Sequence, residues 1–337
     1  MASFPWPNAL SGAIFGAALT AAGMYSPSTI IGQMNLTNFH MMKGFLSASA
    51  TSALAIVLAN NLSLSKCQPR TPATISLPSF SNVYNGNLIG GILLGLGMTL
   101  TGACPGTVFP QVATGISSAK QVLLGSAIGG IIYSWLKPRL QASTINKKQE
   151  AFTKPTVPQR VGTDAWMGLA TYEILCGSLV AGAAYAFPQH DPSLVNPILG
   201  GILIGISQFT SLLLTSSTLG ISSAFEQFGD NFWWLFTPSQ PRPSIKATIF
   251  AFGALGGSWI LTQVAEVPAP YDAMAISTTR AILGGISLIV GSRIAGGCTS
   301  GHGISGMSML SVASFVTVGG MFAGGMGSAA VFRLVGW

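Results

Sequence analysis

"AGGCTSGHGISG", residues 295–306, has five glycines in twelve residues, and among them stand Cys298, Thr299, Ser300 and His302. Apolar sequence lies upstream and resumes from about residue 309. Backbone this rich in glycine is flexible. A thiol and an imidazole placed on it, inside apolar sequence, are explained only if the break belongs to a wider pattern.

The pattern recurs four times. The segments are "SGAIFGAALTAAGMYSPS" at 11–28, "GGILLGLGMTLTGACPGT" at 90–107, "GGILIGISQFTSLLLTSS" at 200–217 and "GGISLIVGSRIAGGCTSG" at 284–301. Each opens as a short apolar helix with an early glycine: Gly12, Gly91, Gly201 and Gly285. Eleven residues later three of them carry Gly23, Gly102 and Gly296, while the third carries Leu212 and is the degenerate copy. A small, polar, Pro/Gly/Ser-rich break follows, then a short stretch. A longer apolar helix comes next, at about 43–60, 119–136, 245–264 and 311–332. A further apolar run at about 165–187 joins the halves.

Composition says what surrounds these helices. The 337 residues are 49% hydrophobic and 7% charged, against roughly 25% charged in a typical soluble domain. Mean hydropathy is +0.56. Fifteen basic and eight acidic residues cannot clothe a soluble core of this size. Much of the surface must face lipid, which makes this an all-α polytopic membrane protein. No dense basic patch exists, so the net charge of +7 does not point to nucleic acid. The longest polar stretch, 137–164, sets Lys137, Arg139, Lys147, Lys148, Lys154 and Arg160 against Glu150 and Asp164. That is a cytoplasmic loop under the positive-inside rule. The start, "MASFPWPNALSG", lacks the basic beginning of a secretory signal.

The first helical part of each unit runs 12–15 residues before its break. At 1.5 Å per residue that is about 20 Å, short of the ~30 Å hydrocarbon core. Half-helices ending inside the membrane are tolerated only where they are buried in protein or line a cavity. Interrupted segments at matching places in two halves mark a transporter's site; the alternative is kinked helices with no pathway. The expected architecture is about nine membrane helices plus short re-entrant half-helices, in internal pseudo-repeats within a single membrane domain. Its parts are 1–140, the basic loop 141–164, and the joining helix with the second half, 165–337. If each broken pair re-enters and each long helix crosses, unit two starts opposite to unit one. The second half is then inverted, and the breaks of units two and four approach the midplane from opposite faces. The loop with Arg242 and Lys246 falls outside, which fits the charge rule poorly.

The chemistry sits in the breaks. Cys104 lies two residues after Gly102 in "TGACPGT", and Cys298 two after Gly296, so the thiols hold equivalent positions. Tyr25 and Leu214 stand there in units one and three. Met24 is next door, its sulfur either facing the same region or packing. No C-x-x-C spacing links Cys67, Cys104, Cys176 and Cys298, which argues against zinc or a structural disulfide. Pro105 suits a helix start, and Thr299 or Ser300 an N-cap. Helix N-termini favour anions, and thiols are weak donors. Together they accept a partly dehydrated anion without trapping it, as conduction requires. Arg293, five residues before Cys298, is an intramembrane charge. It either balances an anion or pairs with Glu173 or Glu226 and holds helices together. Glu173 and Cys176 share a helix face, so Cys176 is either a third thiol on the path or packing. His302 shuttles a proton, donates a hydrogen bond or caps a turn. Gly319–Gly320 and Gly324–Gly325 suit close helix packing, and Cys67 is incidental.

"GGCTSGHGISG" with the preceding "LGGISLIVGSRIA" resembles the signature of the YeeE/YedE family of sulfur transporters. "AAGMYSPSTIIGQMNL" and "NLIGGILLGLGMTLTGACPGTVFPQVATG" resemble it too. The likeness covers nearly the whole chain apart from loops at about 61–86 and 137–164, with both types of half fused. It implies an hourglass-shaped protein of the plasma membrane that imports thiosulfate, with cysteines as transient hydrogen-bonding stations and no cofactor. A cytoplasmic sulfur-carrier or sulfurtransferase protein is the partner it admits. Cys104 and Cys298 match the family's thiol-bearing turns. Some members carry a thiol in the first break as well, whereas this chain has "GMYSPS", which leaves Cys176 as a substitute. No Walker motif is present. The competing readings are a membrane sulfurtransferase carrying a cysteine persulfide, and a metal transporter using Cys and His ligands.

Overall fold

The computed structural model describes residues 5–64, 67–73, 83–142, 154–188, 191–238, 241–268 and 276–335. Lys147, Lys148 and Glu150 of the basic loop lie outside the described residues. Unit one comprises α1 (Trp6–Ala21), α2 (Pro27–Met34) and α3 (His40–Asn61). Unit two comprises α4 (Asn85–Thr101), α5 (Val108–Ala113) and α6 (Ala119–Ala142). A short α7 (Val157–Val161) and the joining helix α8 (Ala165–Ala186) follow. Unit three comprises α9 (Pro197–Thr215), α10 (Ser222–Phe236) and α11 (Lys246–Val264). Unit four comprises α12 (Thr278–Ile294), a π-helical turn (Thr299–Gly306) and α13 (Val312–Val335). Five of these helices, α3, α8, α9, α11 and α13, are long and apolar enough to cross a membrane. A sixth span results if α12 and the π-helical turn, bent by 43°, count as one.

The leading helices exceed the expected 12–15 residues: α1 has 16, α4 and α12 have 17 and α9 has 19. Polar caps upstream of the apolar pattern start α9 and α12 early. Asn196 Oδ1 accepts from Leu199 N–H at 2.8 Å at the start of α9, and Ser277 Oγ accepts from Arg280 N–H at 3.4 Å at the start of α12. At 1.5 Å per residue such helices are about 24–29 Å long.

Glycine contacts fix how these helices pack. A Cβ on Gly12 would lie 2.0 Å from Phe250 O, and one on Gly257 2.0 Å from Ala13 O, so α1 and α11 touch backbone to backbone and run parallel. In the same way α9 lies parallel to α3 (Gly201 on Gly44), α13 to α4 (Gly324 on Ile92) and α12 to α6 (Gly125 on Ile282). Each leading helix therefore packs on the long helix of a unit in the other half. The leading helices α4 and α12 are antiparallel, with Gly90 against Ala295 and Gly97 against Leu288. Of the glycine pairs near the end of the chain, Gly320, Gly324 and Gly325 make close contacts, while a Cβ on Gly319 would meet nothing within 4 Å.

These pairings and the connections between them give the long helices a direction: α1, α4, α8, α11 and α13 run one way, and α3, α6, α9 and α12 the other. Two expectations are corrected. Units one and two start at the same end of the helix bundle, because α1 and α4 run the same way. The 237–246 loop, with Arg242 and Lys246, lies on the side of the basic loop, since α11 starts where α1 starts.

Candidate functional site

At each break the chain turns through a left-handed residue. Gly23 (φ +68°), Gly102 (φ +57°) and Gly296 (φ +84°) take that conformation, which glycine adopts without steric cost. In unit three Ser216 (φ +51°) takes it instead. Because Leu212 replaces the expected glycine, α9 runs one turn further before it ends, which is why that copy reads as degenerate.

The breaks of units one, two and four meet at a cavity of about 40 Å³. Met24, Cys104, Gly106, Thr107, Thr299 and Ser300 line it, with Phe15, Phe45 and other apolar side chains as its walls. Cys104 N–H donates to Thr107 Oγ1 at 2.8 Å, and Thr107 Oγ1 donates back to Cys104 O at 3.2 Å. Gly106 N–H points to the Cys104 sulfur, and Thr107 N–H donates to Cys104 O at 2.9 Å. Cys298 is wholly buried, with its Sγ 3.2 Å from Ser300 Oγ. The N–H groups of Gly301 and Ser222 point to its sulfur. Both thiols thus sit in nests of backbone amides, and Ser300 carries the Cys298 environment to the cavity.

The capping roles expected in these turns differ. Pro105 lies within turn two, three residues ahead of α5, whose N-cap is Thr107. Neither Thr299 nor Ser300 is an N-cap; Cys298 is, without a side-chain cap bond. The hydroxyls are drawn to sulfur instead: Thr299 Oγ1 lies 3.7 Å from Met98 Sδ and 3.6 Å from Met321 Sδ.

Arg293 is ion-paired to Glu226. Glu226 also accepts from Lys137 Nζ at 2.6 Å, and Lys137 lies 3.7 Å from Asp230. Two cations and two carboxylates from α6, α10 and α12 so neutralise one another. Arg293 Nη1 also donates to Ser222 Oγ at 3.3 Å, which links the network to the Cys298 nest. Glu173 is not its partner: Glu173 is half-buried on α8, with a buried Oε1 that has no hydrogen bond among the described residues. Cys176 is buried beside Tyr172, away from the cavity. The Tyr172 hydroxyl pairs with Ser49 Oγ at 2.6 Å, and Ser49 donates to Gly303 O at 2.8 Å. Cys67 lies in the connection after α3, where its N–H donates to Asn60 Oδ1 at 3.1 Å.

His302 holds its own turn together. Its Nε2 is 3.1 Å from Ala295 O and its Nδ1 2.9 Å from Ser314 Oγ. Unit one has a counterpart that the sequence pattern does not show: His40 Nε2 lies 2.7 Å from Ala22 O. Each imidazole sits on the carbonyl just before the left-handed glycine. Two buried glutamines were also missed. Gln111 Nε2 donates to Tyr25 O and Gly102 O at 2.9 and 2.8 Å, tying turns one and two. Gln208 Oε1 accepts from Leu219 N–H at 3.1 Å and from Ser305 Oγ at 2.6 Å, tying turns three and four. Among the described residues no three His, Cys, Asp or Glu side chains gather as a metal site would need.

A family model described as sulphur transport matches residues 21–327. The chain belongs to that family. It is the family that "GGCTSGHGISG" resembles, and the match spans all four breaks. The chain is 22% identical over 327 residues to the thiosulfate transporter TsuA of Spirochaeta thermophila, covering 92% of this chain and 94% of that one. It is 33% identical over 135 residues to a probable transporter of Xylella fastidiosa strain 9a5c, covering 40% of this chain and 90% of that protein. A probable transporter of strain Temecula1 is also 33% identical, over 133 residues.

Proposed function

We propose that this protein imports thiosulfate across the plasma membrane, passing the anion between turns two and four, with the 137–164 loop in the cytoplasm. The carrying observation is the central cavity, where the Cys104 turn meets the turn that bears Cys298 and Ser300. The full-length likeness to a thiosulfate transporter supports the substrate. Cys104 and Cys298 act as hydrogen-bond stations. A thiol is a weak donor, so it holds an anion long enough to pass and lets it leave. The cavity is about three times what one buried water needs. The structure is thus a closed state, and the turns must part for the anion to pass.

The same reading takes the chain as one membrane domain of nine membrane helices, with an inverted second half and an hourglass narrowed at the turns. The exchange of leading helices between halves and the antiparallel α4–α12 pair support it. Arg293 and His302 build the frame, since their polar groups are already engaged. Cys176 steadies turn four through Tyr172 and Ser49 rather than lining the path. A sulfur-carrier or sulfurtransferase protein at the loop face receives the imported anion. A persulfide-carrying enzyme is the weaker reading: it needs an activated thiolate, and the activators the sequence offered, Arg293 and His302, are engaged elsewhere.

The test is uptake into liposomes with thiosulfate, sulfate, sulfite and sulfide compared. Cys104→Ala and Cys298→Ala should each abolish thiosulfate uptake while the purified protein keeps its thermal midpoint. Full uptake by the double variant sinks the thiol relay.

A further inference from the structure

Arg70 lies in the connection between α3 and α4, in a loop outside the four repeated segments. The stretch 67–73 is strapped across turn four. Ser311 Oγ donates to Arg70 O at 2.6 Å, and Ala73 N–H donates to Asn87 Oδ1 at 2.9 Å. Asn87 in turn donates to Ala295 O at 3.1 Å and to Thr317 Oγ1 at 2.9 Å. The strap is thus tied to unit four directly at Arg70 and through Asn87 of α4 at Ala73, and Arg70 is held in place over the Cys298 turn.

Its guanidinium rests on glycine backbone. A Cβ on Gly297 would lie 3.1 Å from Nη1, one on Gly301 3.0 Å from Nη2, and one on Gly220 3.7 Å from Nη2. Side chains at the first two would crowd it aside. Nη1 donates to Gly296 O at 3.2 Å. Nε is buried and makes no hydrogen bond among the described residues. No carboxylate among the described residues pairs with this arginine; the ion pairs of Glu226 and Asp230 go to Lys137 and Arg293. Cys298, His302 and Arg293 lie near enough to feel its charge, and Arg293 is already neutralised. The side chain is half-buried, packed against the turn. A guanidinium so placed keeps an uncompensated charge and unspent donors beside a thiol on the proposed path.

We propose that Arg70 is the oxyanion-binding station on the loop face of turn four, holding the oxygens of the anion next to Cys298. This rests on the transport reading above. The planar fork of arginine matches two oxygens on one centre. The station therefore takes thiosulfate, sulfate and sulfite and discriminates against sulfide, which offers no oxygens. The weak thiol donors grip an anion without reading its oxygens, so Arg70 supplies the class selectivity that they lack.

The test uses the full chain, purified in detergent, with thiosulfate, sulfate and sulfide titrated separately. Losing a charge-assisted pair weakens binding by about ten- to a hundredfold, so Arg70→Gln should weaken thiosulfate and sulfate binding by that factor. Arg70→Lys keeps the charge without the fork and should fall between the two. Wild-type affinity in both variants overturns the assignment. A measurement on the wild type does not depend on how variants fold: modification of Arg70 by phenylglyoxal, read by mass spectrometry. Thiosulfate and sulfate should slow it and sulfide should not; equal modification with and without oxyanion overturns the station. Protection of Arg70 without thiosulfate uptake by the wild type overturns the transport reading and leaves the station standing. Uptake with the same half-saturation in wild type and Arg70→Gln does the reverse.

Discussion

At the scale of single residues, the decisive fact is how few charges the interior holds and how completely most are matched. Glu226 is shared between Arg293 and Lys137, only 12% of its side chain exposed. Removing one partner of such a network leaves an uncompensated buried charge, at a cost of roughly 3–5 kcal/mol. Glu226→Gln should therefore lower the thermal midpoint in detergent sharply. Pairing it with Arg293→Met should recover part of the loss, because no orphaned guanidinium then remains. An unchanged midpoint for Glu226→Gln would show that the network carries no stability. Arg70 and Glu173 have no ion-pair partner among the described residues, and Arg70 is the one set against the thiol turn.

At the scale of elements, helices meet wherever glycine lets one backbone touch another. A Cβ on Gly324 would lie 2.4 Å from Ile92 O, whereas one on Gly319, five positions earlier in α13, would meet nothing within 4 Å. Gly324→Ala should destabilise by about 1–3 kcal/mol, as overpacking does, while Gly319→Ala should stay within about 0.5 kcal/mol. Thermal unfolding of the two variants side by side checks this, and equal midpoints would refute the packing. The long helices and the two thiol turns were legible in the sequence because hydrophobic runs and Gly–Cys spacing are local signals. The leading helices were read as too short because their first turns, around Asn196 and Ser277, are polar. His40, Gln208 and Arg70 escaped for a different reason. Each acts on a turn far away in sequence, and no spacing within one unit announces such a contact.

At the scale of the whole molecule, helix direction assigns the loops to sides. The basic loop and the 237–246 loop share one face, which brings Lys137, Arg139, Lys154, Arg160, Arg242 and Lys246 to the same side and satisfies the charge rule. Cysteines introduced at Lys154 and Ser244 should both resist a membrane-impermeant maleimide in intact cells and both react once the cells are opened. Labelling of one and protection of the other would break the assigned directions. The order of the units within each half was not legible, because it turns on whether a helix of 16 or 17 residues counts as crossing.

The exchange of leading helices between halves also bears on how the chain is made. The glycine-lined faces of α1 and α4 find their partners in α11, α12 and α13, which emerge from the ribosome late. Until then the first half sits in lipid with its closest-packing surfaces uncovered. Its breaks lack the protein burial that irregular backbone in a bilayer requires. Assembly is therefore a late event in biosynthesis. Covalent linkage of the halves keeps the second at high effective concentration beside the first, so that their meeting is a matter of folding and not of encounter.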